Sequence, residues 1–169
     1  MLAKPVEHGD RNGRSNGSHL RTDAIRPPMA IHEPLFIATC DGCGDCIEAC
    51  ETNVLVPDAE GRPRLDFDTA ECTFCGSCAE SCHTSAFSLA QARDWTVTAH
   101  LSGSCLNANE AICRECAQTC EQSAIRFPPR LDGGSCPVII AEMCNGCGAC
   151  VSACPADAIV AEAVSEPKI

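Results

Sequence analysis

Sixteen of the seventeen cysteines fall into four runs: Cys40, Cys43, Cys46, Cys50; Cys72, Cys75, Cys78, Cys82; Cys105, Cys113, Cys116, Cys120; and Cys144, Cys147, Cys150, Cys154. Three of these runs follow C-x2-C-x2-C-x3-C, the bacterial [4Fe–4S] spacing. The first three cysteines share one tight loop and bind three irons of a cube. The fourth cannot turn back to that cube and ligates the other cluster of a pair. On this logic one cluster takes Cys40, Cys43, Cys46 and Cys82, and a second takes Cys72, Cys75, Cys78 and Cys50. A third takes Cys144, Cys147, Cys150 and Cys120, which leaves Cys105, Cys113, Cys116 and Cys154 for a fourth. The expected cofactors are three to four [4Fe–4S] clusters per chain, with these sixteen cysteines as iron ligands.

The run at Cys105 is irregular. Its first gap holds the seven residues LNANEAI, five more than in the other runs. A bulged loop would still return Cys105 to the cube; the alternatives there are a labile three-iron cluster or an empty site. Cys136 fits no run and lies in Gly133-Gly134-Ser135-Cys136-Pro137, a turn entering a strand. Its default is a buried, unligated thiol, and the minority reading is a spare ligand or a redox-sensitive group. Zinc is the rival metal, but zinc sites want four ligands in two knuckles. The triplet-plus-one spacing would crowd surplus thiolates beside it.

The elements that position these loops are repeated. The second run lies 32 residues after the first, and the fourth lies 72 after the second. This gives two two-motif modules, 35–92 and 98–164, joined by a linker at 93–97, with a flexible tail at 1–34 and a C-terminal tail at 165–169. After each third cysteine a stretch such as Ile47-Glu48-Ala49 or Val151-Ser152-Ala153 suits one or two helical turns. After each fourth cysteine an apolar pair follows: Val54-Leu55, Ala86-Phe87, Ala124-Ile125 and Ala158-Ile159. These pairs are expected to pack over the clusters and exclude water. VLVPDAEGRPRLDFD and AIRFPPRLDGGSCPVII read as hairpins, and the alternation of Trp95, Val97 and Ala99 reads as a short strand at the junction. The class is α+β, short elements wrapped around metal.

Composition supports metal as the organising force. The 169 residues include five Phe, one Trp and no Tyr, too few large side chains for a conventional core of this length. Disulfides would need an oxidising compartment. The opening stretch has no apolar run of the signal-peptide kind and no twin-arginine pair. No run of about 18 apolar residues suits a membrane span. The expectation is a cytoplasmic chain with reduced, metal-binding thiols. The net charge is −11, with five basic and three acidic residues in 1–30 against seven and twenty in the rest. Thiolate clusters make the body more negative, which argues against nucleic acid and favours a partner with a basic docking patch.

The residues after the fourth cysteines differ: Glu51, His83, Glu121 and Pro155. Proline removes a backbone donor, so its absence from three runs leaves N–H groups able to bond a cluster sulfur. An acidic neighbour would lower the potential, and His83 would couple reduction to a proton. The plainer reading is that these are solvated surface residues.

The sequence resembles NapF-type ferredoxin-like proteins of the periplasmic nitrate reductase system. The resemblance rests on Ile25-Arg26-Pro27-Pro28, on Cys43-Gly44-Asp45-Cys46-Ile47-Glu48-Ala49-Cys50-Glu51 with Asn53-Val54-Leu55, and on Glu71-Cys72-Thr73-Phe74-Cys75. It also rests on Cys113-Arg114-Glu115-Cys116-Ala117-Gln118-Thr119-Cys120-Glu121 and Cys144-Asn145-Gly146-Cys147-Gly148-Ala149-Cys150. It implies two tandem bacterial-type two-cluster ferredoxin modules and a cytoplasmic, non-enzymatic accessory protein. The implied partner is the catalytic subunit of the periplasmic nitrate reductase, whose maturation before export it would assist. The alternatives are a general electron-transfer subunit feeding a respiratory or metabolic oxidoreductase, and a protein using clusters only as staples or iron sensors. The chain carries no phosphate-binding glycine loop, no dinucleotide fingerprint and no acid–base constellation.

Overall fold

Cysteine loops interrupt every apolar stretch, so the elements are short. A computed structural model describes residues 24–88, 95–102, 105–109, 111–129 and 135–164. The expected tails at 1–23 and 165–169, and residues 93 and 94 of the expected linker, lie outside them. Among the described residues the longest helix is α1, Glu33–Thr39, with seven residues. Each third cysteine rides on its own small helix: Cys46 on α2 (Asp45–Glu48), Cys78 on α3 (Ser77–Glu80), Cys116 on α4 (Glu115–Thr119) and Cys150 on α5 (Ala149–Ser152). Three of the four helices start from a left-handed glycine, Gly44, Gly76 or Gly148, at φ of 88°, 86° and 83°. A Cβ is disfavoured in that conformation. At α4 the position is Arg114, with φ of −138°.

Each half has one hairpin between its two cysteine runs. In the first, β1 (Leu55–Pro57) pairs antiparallel with β2 (Pro63–Leu65), Leu55 opposite Leu65. Asp58 closes the turn: its Oδ1 accepts the Glu60 and Arg62 N–H groups at 3.0 and 2.8 Å. In the second half β4 (Ile125–Arg126) pairs antiparallel with β5 (Val138–Ile139), Ile125 opposite Ile139. An outer pairing then closes each half. It is a single bridge, Ala30 to Phe87, in the first half. In the second it is a full antiparallel pair, β3 (Val97–Leu101) against β6 (Ile159–Ala163). Both hairpins and the strand begun by Val97 follow the sequence pattern.

The segment before Cys40 is ordered further back than its composition suggested. Residues 24–34, read as part of a flexible tail, pack on the first half. Pro27 and Pro28 are buried. The Arg26 guanidinium makes a fork on Glu33, donates to the Pro63 carbonyl at 2.8 Å, pairs with Asp58 at 2.9 Å and lies 4.9 Å from the Phe36 ring centroid. Planar, multidentate contact of this kind suits arginine and not lysine. Phe36 is fully buried and meets Phe87 edge-on, with centroids 5.9 Å apart. The lead-in is therefore a lid, pinned by arginine, over the module it precedes.

Two small cores result. Val54, Leu55, Leu65, Phe67 and Val97 form one, with Cys50, Cys72, Cys78, Trp95 and Val151 against it. Ala99, Cys116, Ile125, Cys150 and Ile159 form the other. Val97 and Trp95 thus pack with the first half although the chain counts them as junction, and the two halves touch directly.

Candidate iron–sulfur centres

Three of the four sets of cysteines are built from two directions: a loop and short helix deliver three thiols, and the turn after another helix delivers the fourth. Cys50, Cys72, Cys75 and Cys78 line one cavity, together with Val54, Leu55, Leu65 and Phe74. Cys120, Cys144, Cys147 and Cys150 line a second, with Ala99, Ala124, Ile125 and Ile139. Cys105, Cys113, Cys116 and Cys154 line a third, with Leu101, Phe127, Ala158 and Ile159. The apolar pairs after Cys50, Cys120 and Cys154 thus wall the cavities as expected. Four thiols converging in an apolar pocket are the donor set a [4Fe–4S] cube needs: soft sulfur ligands, one per iron, with water held off.

Burial and then the neighbouring sulfurs of Cys40, Cys78 and Cys43 raise the Cys46 thiol. Cys82 is brought toward the Cys40–Cys46 loop by its neighbour: His83 Nε2 lies 3.1 Å from Asp41 Oδ2 and its Nδ1 lies 3.6 Å from Asp45 Oδ2. His83, though exposed, therefore clasps the opposite loop. Glu51 and Glu121 are exposed, in keeping with the plainer reading of those positions. Cys136 is half-buried and lines none of the three cavities described.

Burial governs the protons on these thiols. It pushes Cys46 and Cys150 up to about 12, and Cys78 and Cys116 up to about 11, with neighbouring sulfurs adding to the effect. Burial also raises Cys72 and Cys147. Cys75 goes the other way, because the Ser77 hydroxyl and amide both stabilise its thiolate. Cys75 is exposed as well, which makes it a reactive thiol in the metal-free chain.

The fourth-position cysteine sulfurs lie within hydrogen-bond reach of groups two or four residues further along the chain. Ala124 N–H donates to Cys120 Sγ at 3.4 Å and Ala158 N–H to Cys154 Sγ at 3.2 Å. In the first half a threonine hydroxyl takes this place: Thr52 Oγ1 lies 3.6 Å from Cys50 Sγ, and Thr84 Oγ1 lies 3.3 Å from Cys82 Sγ. Ala86 N–H donates to Thr84 Oγ1 at 3.3 Å, which leaves the hydroxyl proton for the sulfur. A donor on a ligand sulfur favours the more negative, reduced state. Thr84→Val keeps the shape and removes the donor, and is expected to lower the midpoint potential of the site served by Cys82 by about 20–60 mV in an anaerobic EPR-monitored titration.

The irregular run is held by a residue that sequence reasoning passed over. Its insert forms a 3₁₀ turn at Leu106–Asn109, and Asn107 in that turn is buried. Asn107 Oδ1 accepts the Cys113 N–H at 2.6 Å, and its Nδ2 donates to the Ser135 carbonyl at 2.8 Å. One amide so ties the insert both to its own ligand loop and to the strand entry near Cys136. Arg114 replaces the helix-starting glycine and lies 5.1 Å from the Phe127 ring centroid, on the wall of the same cavity. The missing glycine is visible in the sequence once the other runs are aligned to it. Asn107→Ala is expected to weaken iron retention at this set by about 10- to 100-fold, leaving the others unchanged, as read by iron and sulfide per chain after an anaerobic chelator challenge.

Two sequence profiles match the chain: the 4Fe-4S dicluster domain over residues 39–86 and the 4Fe-4S binding domain over 137–160. With short helices and hairpins carrying converging cysteines, these define a ferredoxin-type iron–sulfur protein, a non-catalytic carrier that binds [4Fe–4S] clusters. The chain is 45% identical over 135 residues to the ferredoxin-type protein NapF of Haemophilus influenzae, covering 80% of this chain and 77% of that one. It is 41% identical over 141 residues to the ferredoxin-type protein NapF of Escherichia coli K12, covering 83% and 86%. It is also 34% identical over 151 residues to the methylamine utilization ferredoxin-type protein MauM of Paracoccus denitrificans, covering 78% and 66%. The chain belongs to the NapF family of ferredoxin-type proteins. Among the described residues no helix is long and apolar enough to cross a membrane.

Proposed function

We propose that this protein is a cytoplasmic accessory factor that assists maturation of the catalytic subunit of a periplasmic nitrate reductase before that subunit is exported. It would do so with up to four [4Fe–4S] clusters held by the sixteen cysteines of the four runs. The observation that carries the reading is the extent of the NapF likeness, 41–45% identity across about four-fifths of the chain. The surface supports it. α1 leaves Leu35 and Ile37 exposed, at 61% and 44%, close in sequence to the loop of the exposed Cys43, in an acidic body suited to a basic partner face.

An anaerobic pull-down from cytoplasm tests this. The tagged protein should retain the catalytic subunit with its export signal uncleaved. Recovery of only the exported, mature enzyme would overturn the reading. Capture and rapid reduction of some other oxidoreductase would put the general electron-transfer role in its place.

A further inference from the structure

The two modules meet through their cysteine loops. The Cys72 N–H donates to the Cys147 carbonyl at 2.8 Å, joining the first cysteine of one run to the second cysteine of another. Trp95 straddles the same junction. Its Nε1–H donates to the Asn145 carbonyl at 2.8 Å, between Cys144 and Cys147. Its ring meets Phe74, between Cys72 and Cys75, edge-on with centroids 6.2 Å apart.

The glycines give an internal control. Gly44, Gly76 and Gly148 occupy the same place in their runs. A Cβ at Gly44 would meet nothing within 4 Å, and one at Gly76 only the flexible end of Met29 at 3.4 Å. A Cβ at Gly148 would collide with the Phe67 ring, which belongs to the first module. At Gly146 a Cβ would collide with the Val97 carbonyl and lie 2.7 Å from Trp95 Nε1. The loop Cys144–Gly148 is thus shaped to receive the first module and the junction residues, whereas in the equivalent loop at Cys43 a Cβ at Gly44 would meet nothing and one at Gly42 would meet only the Glu60–Gly61 turn of its own module, at 3.4 Å. Val151 of α5 continues the contact by packing on the first module's core.

We propose that this seam holds the set Cys50/Cys72/Cys75/Cys78 and the set Cys120/Cys144/Cys147/Cys150 at a fixed short separation, with Trp95 as the positioning residue. The protein then presents one unbroken series of four metal sites instead of two independent modules on a linker. The inference rests on the four-set reading of the cysteines. Inside each module the order follows from the packing of α2 on α3 and of α4 on α5, the helices that carry Cys46, Cys78, Cys116 and Cys150. The Cys40 set and the Cys105 set are therefore the two ends, and the seam is the only join that the repeated motif does not itself supply.

The test uses the intact, anaerobically loaded protein. Fully reduced with titanium(III) citrate, it should give a low-temperature EPR spectrum with spin–spin broadening across the seam. Trp95→Ala, matched for iron content, should lose that part of the interaction, leaving two separate two-site spectra. Trp95→Phe, which keeps the ring against Phe74, should retain most of it. An iron-replete Trp95→Ala protein with the native spectrum and native saturation behaviour would overturn the proposal. Hydrogen exchange on the native loaded protein covers the case in which Trp95→Ala fails to hold iron. The Cys72 amide should exchange about 100-fold or more slowly than a solvated loop amide, and exchange at the solvated rate would overturn the seam. Iron and sulfide counts on the native protein separate the two layers, since fewer than four filled sets would overturn the four-site series while the Cys72 amide still reports on the seam.

Discussion

Cys150→Ser is expected to strip one entire set of its iron and to unfold much of the second module with it. Cys150 is both a thiol of the Cys120/Cys144/Cys147 cavity and a member of the buried core with Ala99, Cys116, Ile125 and Ile159. That core has no aromatic residue among its fully buried members, so metal–sulfur bonds must supply what large side chains supply elsewhere. Metal binding free energy then becomes folding free energy. A serine hydroxyl is a hard, weak ligand for iron and a poor occupant of an apolar site. The expected result is iron and sulfide down by one cluster per chain, with lost amide protection in α5 and in the β3–β6 pair. Cys136→Ser is the contrast: outside the four sets, it should leave iron content and protection unchanged. Equal iron in both variants would contradict the assignment.

Acid should unload the protein over a narrow range. Ligation requires thiolate, whereas burial holds the free Cys46 and Cys150 thiols at about 12. Loading at neutral pH therefore releases protons, and retention strengthens as pH rises and weakens as it falls. Each displaced proton is worth about 1.4 kcal/mol per pH unit, so four thiols approach about 5 kcal/mol per unit, or roughly four decades in retention. Loss of visible charge-transfer absorption in an anaerobic pH titration should be correspondingly steep, and a slope of a single proton would contradict four-thiolate ligation. The metal-free chain has the opposite sign. Its raised thiol pKa values stabilise the fold below about 9 and lose that contribution as pH climbs from 9 toward 12.

What the sequence made legible was what is local. Cysteine spacing predicted which thiols share a site, and three of the predicted quartets line one cavity each. The apolar pairs were legible for the same reason: Val54-Leu55 and Ala158-Ile159 lie a few residues from the cysteine they cover. What escaped was set by partners far away in the chain. Trp95 reads locally as one beat of a strand, yet its hydrogen bond goes to Asn145, 50 residues on. Arg26 reads as part of a tail until Glu33, Asp58 and Pro63 are placed around it. Asn107 is an ordinary polar residue in a polar insert, and only burial between Cys113 and Ser135 reveals it as a clamp. Nothing in local propensity distinguishes such residues from solvated ones.

The outer pairings also set an order of events during synthesis. The first module closes when Phe87 reaches Ala30, and by then Cys82 has already emerged, so its two quartets are complete before any residue of β3 appears. The second module cannot close until β6 reaches β3, and both of its quartets wait: one for Cys144, Cys147 and Cys150, the other for Cys154. Domains generally fold as units from the N-terminus during translation. A ribosome-bound chain would thus carry a finished, metal-laden half that offers Phe67, Phe74 and the Cys72 amide as a template on which the later half is seated. Iron supply is then demanded in two instalments, and a shortage striking between them would leave a half-built protein with its docking face for the second module uncovered.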